Sequence, residues 1–202
     1  MKRIAILGST GSIGTSALAV IDALGPGYEV VGLAAATSID ALAAQARRYR
    51  PKYVCAFGGD AARDLQASVP SGTKVLAPGV EGLVELAAHP DVDLVVTSLV
   101  GGVGFAPLVA AIKTGKTIAV ANKEPFVMAG PALMREAERW EATVLPVDSE
   151  PSAVFQCLIG AHPPAGRLSL PKLGEQVRRV LLTASGGPFY RRKGSLREVT
   201  VK

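Results

Sequence analysis

Two carboxylates one residue apart, Asp148 and Glu150 in Val147-Asp148-Ser149-Glu150, follow a short apolar run over 143–147. Acids at i and i+2 beyond a strand can point to one side and share a hard divalent cation. Oxygen donors favour Mg²⁺ or Mn²⁺ over zinc. Two ligands leave the shell short, so a further protein donor, a chelating substrate or water has to complete it. The plainer reading is a pair of acids set against the positive end of a helix. A second constellation, Ala121-Asn122-Lys123-Glu124, also follows an apolar run, 117–120. In a parallel sheet ligands lie beyond the carboxyl ends of the strands, which puts Asn122, Lys123 and Glu124 at the mouth of a crevice. A lysine there can hold a substrate oxyanion or phosphate; the alternative is a surface charge pair. The third is Gly8-Ser9-Thr10-Gly11-Ser12-Ile13-Gly14, a G-x-x-G-x-x-G in which Thr10 replaces the second glycine of the usual dinucleotide pattern. Glycines let a phosphate approach the backbone, and a helix that follows offers free N–H groups and its positive dipole end. Thr10 and Ser12 add hydroxyl donors beside a pyrophosphate.

Each constellation needs a strand to deliver it. The run 3–7 is apolar as a fully buried parallel strand is, and Ala17, Leu18, Val20, Ile21 and Leu24 fall on one side of a helix after the glycine turn. Further on, strands are expected at 29–35, 52–57, 74–76, 93–97, 117–120 and 143–147. Helices are expected at 39–49, 61–67, 79–88, 105–113, 131–140 and 150–159. This alternation argues a parallel sheet with helices on both faces and right-handed crossovers. After Val147 the pattern changes: a loop at 162–166, then a strand-like run at 177–184 feeding Ser185-Gly186-Gly187-Pro188. The expected organisation is an α/β, doubly wound Rossmann-type domain over 1–147, followed over 148–202 by the beginning of an incomplete α+β catalytic domain.

An NAD-specific fold usually places Asp or Glu at the end of its second strand to hold the ribose hydroxyls. This chain has Ala34-Ala35-Ala36-Thr37-Ser38 there. An acid would repel a 2′-phosphate, so its absence, with the Thr37 and Ser38 hydroxyls in its place, leans toward NADP. Ser38 also suits a helix N-cap, and Arg47 and Arg48 lie too far along the helix to reach the phosphate.

The composition, 49% apolar and 19% charged, suits a sizeable core. No apolar run is long enough to span a bilayer. The first strand begins almost at Met1, leaving no room for a signal or transit peptide, so a cytoplasmic location is expected. Cys55 and Cys157 lie far apart in apolar settings and read as buried thiols, not as a metal site or disulfide. His89 and His162 have no partners at ligand spacing and read as loop residues beside proline. The net charge of +5 is uneven: residues 163–202 hold nine Lys and Arg against two Glu. Without a nucleic-acid motif or interleaved aromatics, that basic stretch reads as a solvated surface that attracts phosphate, not as a nucleic-acid interface.

The four motifs Gly8–Gly14, Ala121–Glu124, Val147–Glu150 and Thr183-Ala184-Ser185-Gly186-Gly187-Pro188-Phe189 occur in the order seen in 1-deoxy-D-xylulose-5-phosphate reductoisomerases, which the chain resembles along essentially its whole length. That family uses NADPH and a divalent metal to rearrange and reduce 1-deoxy-D-xylulose 5-phosphate to 2-C-methyl-D-erythritol 4-phosphate in isoprenoid precursor synthesis. The resemblance implies that Thr10, Gly11, Ser12, Ile13, Asn122 and Glu124 touch the cofactor; Thr37 and Ser38 are placed at its 2′-phosphate by their hydroxyls and position, not by the resemblance. It implies that Asp148 and Glu150 ligate the metal, that Lys123, Ser149, Glu150 and Ser185 contact a phosphorylated small-molecule substrate, and that Lys123 and Glu150 serve catalysis. It implies a homodimer at full length, with no nucleic-acid or membrane partner.

Two departures accompany the resemblance. Ala36-Thr37-Ser38 stands where the family commonly has Gly-Lys-Asn or similar. Family members also run to about twice this length, and the remainder supplies a third metal carboxylate, a mobile loop and a helical domain. This chain alone is therefore expected to be catalytically incomplete. The alternatives are an NADPH-binding module without turnover, or another NADP-dependent oxidoreductase such as a semialdehyde or homoserine dehydrogenase, which the Asp-Ser-Glu and Ser-Gly-Gly-Pro pair disfavours.

Overall fold

The computed structural model describes residues 1–161, 177–183, 191–195, 197, 199 and 200. Seven parallel strands form its sheet: β1 Lys2–Leu7, β2 Tyr28–Ala35, β3 Tyr53–Ala56, β4 Lys74–Val75, β5 Leu94–Thr97, β6 Thr117–Val120 and β7 Thr143–Pro146. Their spatial order is β4-β3-β2-β1-β5-β6-β7. The order reverses between β1 and β5, the switch point where such sheets open a crevice at their carboxyl ends. The central strands are buried on both faces, as their unbroken apolar runs require: Ile4–Leu7 in β1 and Val30–Ala35 in β2 are all buried. The edge strands β4 and β7 differ, with no buried residue in β4 or in β7. Every residue of β7 is half-buried, and it ends in Pro146, whose missing N–H is tolerated on an edge strand.

The helices are α1 Ser12–Leu24, α2 Ile39–Tyr49, α3 Gly59–Ser68, α4 Gly79–Ala88, α5 Phe105–Lys113, α6 Glu124–Arg139 and α7 Ser149–Ala161. Leu18 and Ile21 of α1, Leu42 and Ala46 of α2 and Leu65 of α3 pack with Ile6, Leu33 and Val54 on one face. Leu83 and Leu86 of α4, Leu108 and Ile112 of α5 and Leu133 of α6 pack with Leu7, Val95 and Ile118 on the other. The doubly wound sheet is thus as expected. The first face is not covered evenly, however: beside α1 a groove of about 560 Å³ lies over Leu94, Val96 and Ala119.

At the opposite edge, the amino ends of β1 and β5 are tied by charge. Arg3 donates to both oxygens of Asp93, through its backbone N–H and its guanidinium, and to Asp91. Lys116, buried, donates to the carbonyls of His89 and Val92, and burial pushes its ammonium below its usual range. His89 accepts from the Asp91 N–H and stacks on Tyr53, a loop role as expected.

Several expectations are corrected. Strand and helix limits move by one or two residues, as element ends do. α6 begins at Glu124, not at 131. Pro125 fits a helix's first turn, while Pro131 lacks an N–H and crowds the preceding turn, so the helix breaks at Ala129 (φ −151°, ψ 31°) and resumes. The strand expected at 177–184 shows, over the described 177–183, a single bridging residue at Val177. Cys55 is buried, and burial pushes its thiol up to about 12, but Cys157 is exposed because it lies on the outer side of α7. Ser185, His162 and the 162–166 loop lie outside the described residues.

Candidate functional site

The glycine turn leaves β1 at the switch point. Gly8 has φ +89°, and a Cβ there would lie 2.6 Å from the Ser98 carbonyl oxygen, so only glycine fits. Gly14 lets α1 cross close to the turn: a Cβ would meet the Gly8 carbonyl at 2.3 Å. Gly11 is different. Its backbone is extended (φ −76°, ψ 172°), and a Cβ would meet nothing nearer than 3.5 Å. Beyond the ordinary preference for glycine at a helix N-cap, the fold does not require it there, and the position leaves room for close approach from the solvent side.

The turn is held on three sides. Gly8 and Ser9 N–H both donate to the Ala34 carbonyl at 2.9 and 2.8 Å. The Ser98 hydroxyl reaches the carbonyls of Leu7 and Gly8 at 2.8 and 3.1 Å. Gln45 of α2 binds Ser9 twice. No side chain caps α1 and no acid stands in its first turn, so its positive end is open to an anion. Gly11 and Ser12 are exposed, and Thr10 and Ile13 half-buried.

Just beyond β2, Thr37 and Ser38 are exposed. Ser38 does not make the cap expected of it. Its ψ of 69° is not the extended conformation a capping serine adopts, and only its carbonyl engages α2, accepting from Leu42. Arg47 and Arg48 turn away, toward the Ser68 carbonyl and the Asp22 carboxylate.

The second constellation is assembled by register. Thr97, Val120 and Pro146 stand side by side at the carboxyl ends of β5, β6 and β7. The segments that follow, Asn122 to Glu124 and Asp148 to Glu150, therefore start level. Thr97, wholly buried, donates to the Asn122 Oδ1 at 2.9 Å. The Asn122 Nδ2 faces the other way, against Gly104 of a single 3-10 turn (Gly101–Gly104); a Cβ on Gly104 would come within 2.5 Å of it. Asn122 Nδ2 and Glu124 Oε2 are both buried without a partner, the two such side-chain atoms among the described residues. A buried donor and a buried acceptor left open this way cost free energy unless a ligand engages them.

Lys123 Nζ lies 3.8 Å from Asp148 Oδ2, and the Ser149 N–H donates to Asp148 Oδ1 at 3.2 Å. Asp148 thus meets both a lysine and the start of α7, while Ser149 and Glu150 are exposed in that helix's first turn. A cavity of about 530 Å³ brings Asn122, Lys123, Asp148 and Glu150 to one rim, over an apolar wall that includes Phe126, Val144 and Phe155. Two carboxylates with no sulfur or imidazole fit a hard cation in donor chemistry but not in number. No group of three or more potential ligands occurs among the described residues.

Sequence reasoning missed Ser9, Gln45, Thr97, Ser98 and Gly104. Thr97 left a trace, as the one polar residue closing an apolar strand; Gln45 left none.

Residues 4–130 match the family profile of 1-deoxy-D-xylulose 5-phosphate reductoisomerase, and residues 144–202 that of the same enzyme's C-terminal domain. The 1-deoxy-D-xylulose 5-phosphate reductoisomerase of Elusimicrobium minutum is 54% identical over 199 residues, 98% of this chain and 49% of that protein. The chain spans about half the length of the curated relatives it matches. Among solved structures, the reductoisomerase of Zymomonas mobilis in complex with NADPH superposes with a TM-score of 0.83 at 35% identity, over 95% of this chain and 47% of that one. A reductoisomerase bound to NADPH, fosmidomycin and magnesium gives 0.74 at 38% identity, over 80% and 40%.

Proposed function

The chain belongs to the 1-deoxy-D-xylulose 5-phosphate reductoisomerase family, and on that premise we propose that it forms the NADPH-binding domain (1–147) and the first part of the metal- and substrate-binding domain (148–202) of an enzyme that rearranges and reduces 1-deoxy-D-xylulose 5-phosphate to 2-C-methyl-D-erythritol 4-phosphate. The observation that carries this reading is the pair of buried, unpartnered atoms Asn122 Nδ2 and Glu124 Oε2, taken with the uncapped α1 at the switch point. When bound, NADPH supplies the hydride and the divalent cation supplies Lewis-acid polarisation of the substrate's oxygens.

The chain's own residues bind and orient. Thr10, Gly11, Ser12 and Ile13 receive the pyrophosphate on backbone and hydroxyl donors at the α1 terminus. Thr37 and Ser38 face the 2′-phosphate, where no carboxylate repels it. Asn122 donates to the cofactor, and Glu124 accepts from it. Asp148 and Glu150 offer oxygen donors to Mg²⁺ or Mn²⁺. Lys123, paired with Asp148, turns its ammonium to a substrate oxyanion, and Ser149, Glu150 and Ser185 complete the substrate's contacts. A cytoplasmic location and a homodimer at full length accompany this reading. No helix among the described residues is long and apolar enough to cross a membrane.

Nucleotide fluorescence tests it. NADPH is expected to bind this chain more tightly than NADH, and equal or tighter NADH binding would overturn the assignment of Thr37 and Ser38.

A further inference from the structure

Ser9 is a polar residue with no exposure at all, in the middle of the glycine turn. One side chain satisfies two of its polar groups. The Ser9 hydroxyl donates to Gln45 Oε1 at 2.7 Å, and Gln45 Nε2 donates back to the Ser9 carbonyl at 2.9 Å. Its third group, the N–H, goes to Ala34. The turn is therefore fastened to α2 by a two-point clamp that needs a donor and an acceptor on one planar group, which an amide supplies.

From this geometry we infer that Gln45 is a positioning residue for the nucleotide turn, an inference that rests on the cofactor reading above. Packing of α2 does not require it: Leu42, Ala43 and Ala46 already seat that helix in the core, while Gln45 itself is half-buried. What the clamp adds is a fixed relation between two separate segments. α2 starts directly after Thr37-Ser38, and Ser9 lies two residues before Gly11. This side chain joins the two places assigned to the 2′-phosphate and to the pyrophosphate, beside the backbone bonds from Gly8 and Ser9 to Ala34 of β2. A turn held in its binding conformation before the ligand arrives loses less entropy on binding.

The clamp is tested in this chain without and with nucleotide. In Gln45→Met, of similar length but with no donor and no amide oxygen, amide hydrogen exchange over residues 8–14 should accelerate in the nucleotide-free protein while β5, β6 and α5 keep their protection. Its NADPH dissociation constant should rise about tenfold, the scale of one lost positioning hydrogen bond.

Gln45→Glu gives the readout that a packing role would not move. At neutral pH the introduced carboxylate faces the Ser9 carbonyl without a proton. As pH falls through its titration it regains a donor, so NADP⁺ affinity relative to the unaltered chain at the same pH should recover. Unchanged exchange at the turn, or faster exchange with unchanged nucleotide affinity, would overturn the inference, as would a Gln45→Glu deficit that does not vary with pH. If the unaltered chain bound no NADPH, the cofactor reading would fall, and exchange in the nucleotide-free protein would alone decide whether Gln45 holds the turn.

Discussion

Gly11 separates what the fold needs from what a ligand needs. At Gly8 and Gly14 an added Cβ would collide with backbone, but at Gly11 it makes only an ordinary van der Waals contact, 3.5 Å from the Gly8 carbonyl, in an extended conformation that valine accepts. Gly11→Val should fold, losing no more than about 1 kcal/mol for a poorer N-cap. Its NADPH affinity should drop by roughly a hundredfold or more, because the side chain stands where the phosphate would approach. Retained affinity in the folded variant would place the nucleotide elsewhere. Thr97 works from behind. Its hydroxyl occupies Asn122 Oδ1 and so turns the amide's other end toward Gly104, where it is buried without a partner. Thr97→Val keeps the shape but leaves a second buried atom of Asn122 unpaired, at a cost of about 1–3 kcal/mol. Urea unfolding should show that loss together with weaker NADPH binding, and Thr97→Ser should restore both. Equal stability of Thr97→Val and the parent chain would remove Thr97 from this role.

Elements deliver these residues in a pattern that was largely visible beforehand. Apolar runs announced all seven strands to within one residue at either end, because central parallel strands are buried on both faces and cannot hide among polar sequence. Even the two-residue β4 matched its expected 74–76, but α6 was half missed because Pro131 signals a start as readily as an interruption. The site was legible where chemistry lies in adjacent residues, as in Asn122-Lys123-Glu124. It was not legible where partners meet across the fold, as Ser9 does with Gln45 at a separation of 36 residues. The same holds at the sheet's amino edge, where Arg3 meets Asp93 and the contact has a consequence for pH. The Arg3 guanidinium and backbone N–H hold the Asp93 carboxyl down at about 2, against an ordinary value near ~3.9. A folded-state value below the unfolded one stabilises the charged form. Its contribution is therefore present above about pH 4 and is lost as pH falls toward about 2. Asp93→Asn should lower Tm at neutral pH and converge with the parent chain near pH 2. With the carboxylate side chain 37% exposed, solvent screens the pair and the difference is small. A gap that persists undiminished at the acid end would show that Asp93 acts through packing instead of charge.

For the whole molecule, the glycine turn and the carboxylate pair Asp148 and Glu150 are carried by different strands, and their losses are expected to be separable. The turn follows β1 and leans on β2 and α2, whereas Asp148 and Glu150 follow β7 at the sheet's edge and share their cavity with Lys123. Within the described residues the metal donors stop at two carboxylates, one of them facing a lysine ammonium at 3.8 Å. Two exposed or half-exposed carboxylates hold a hard cation weakly, on the order of 10⁻³ M, unless further ligands or substrate oxygens complete the shell. Mn²⁺ titration followed by electron paramagnetic resonance should find such weak binding by this chain, lost in Asp148→Asn. NADPH affinity should stay within about twofold in that variant, since the turn, Asn122 and Glu124 all keep their side chains. With the metal shell short, this chain should show no consumption of NADPH with 1-deoxy-D-xylulose 5-phosphate and Mn²⁺. In a full-length polypeptide of the relatives' size, Asp148→Asn or Glu150→Gln should abolish that turnover. Clear turnover by the 202-residue chain would contradict the two-donor argument, and parent-like turnover by full-length Asp148→Asn would remove the metal assignment. A matching loss of NADPH affinity would show instead that the two constellations are one coupled site.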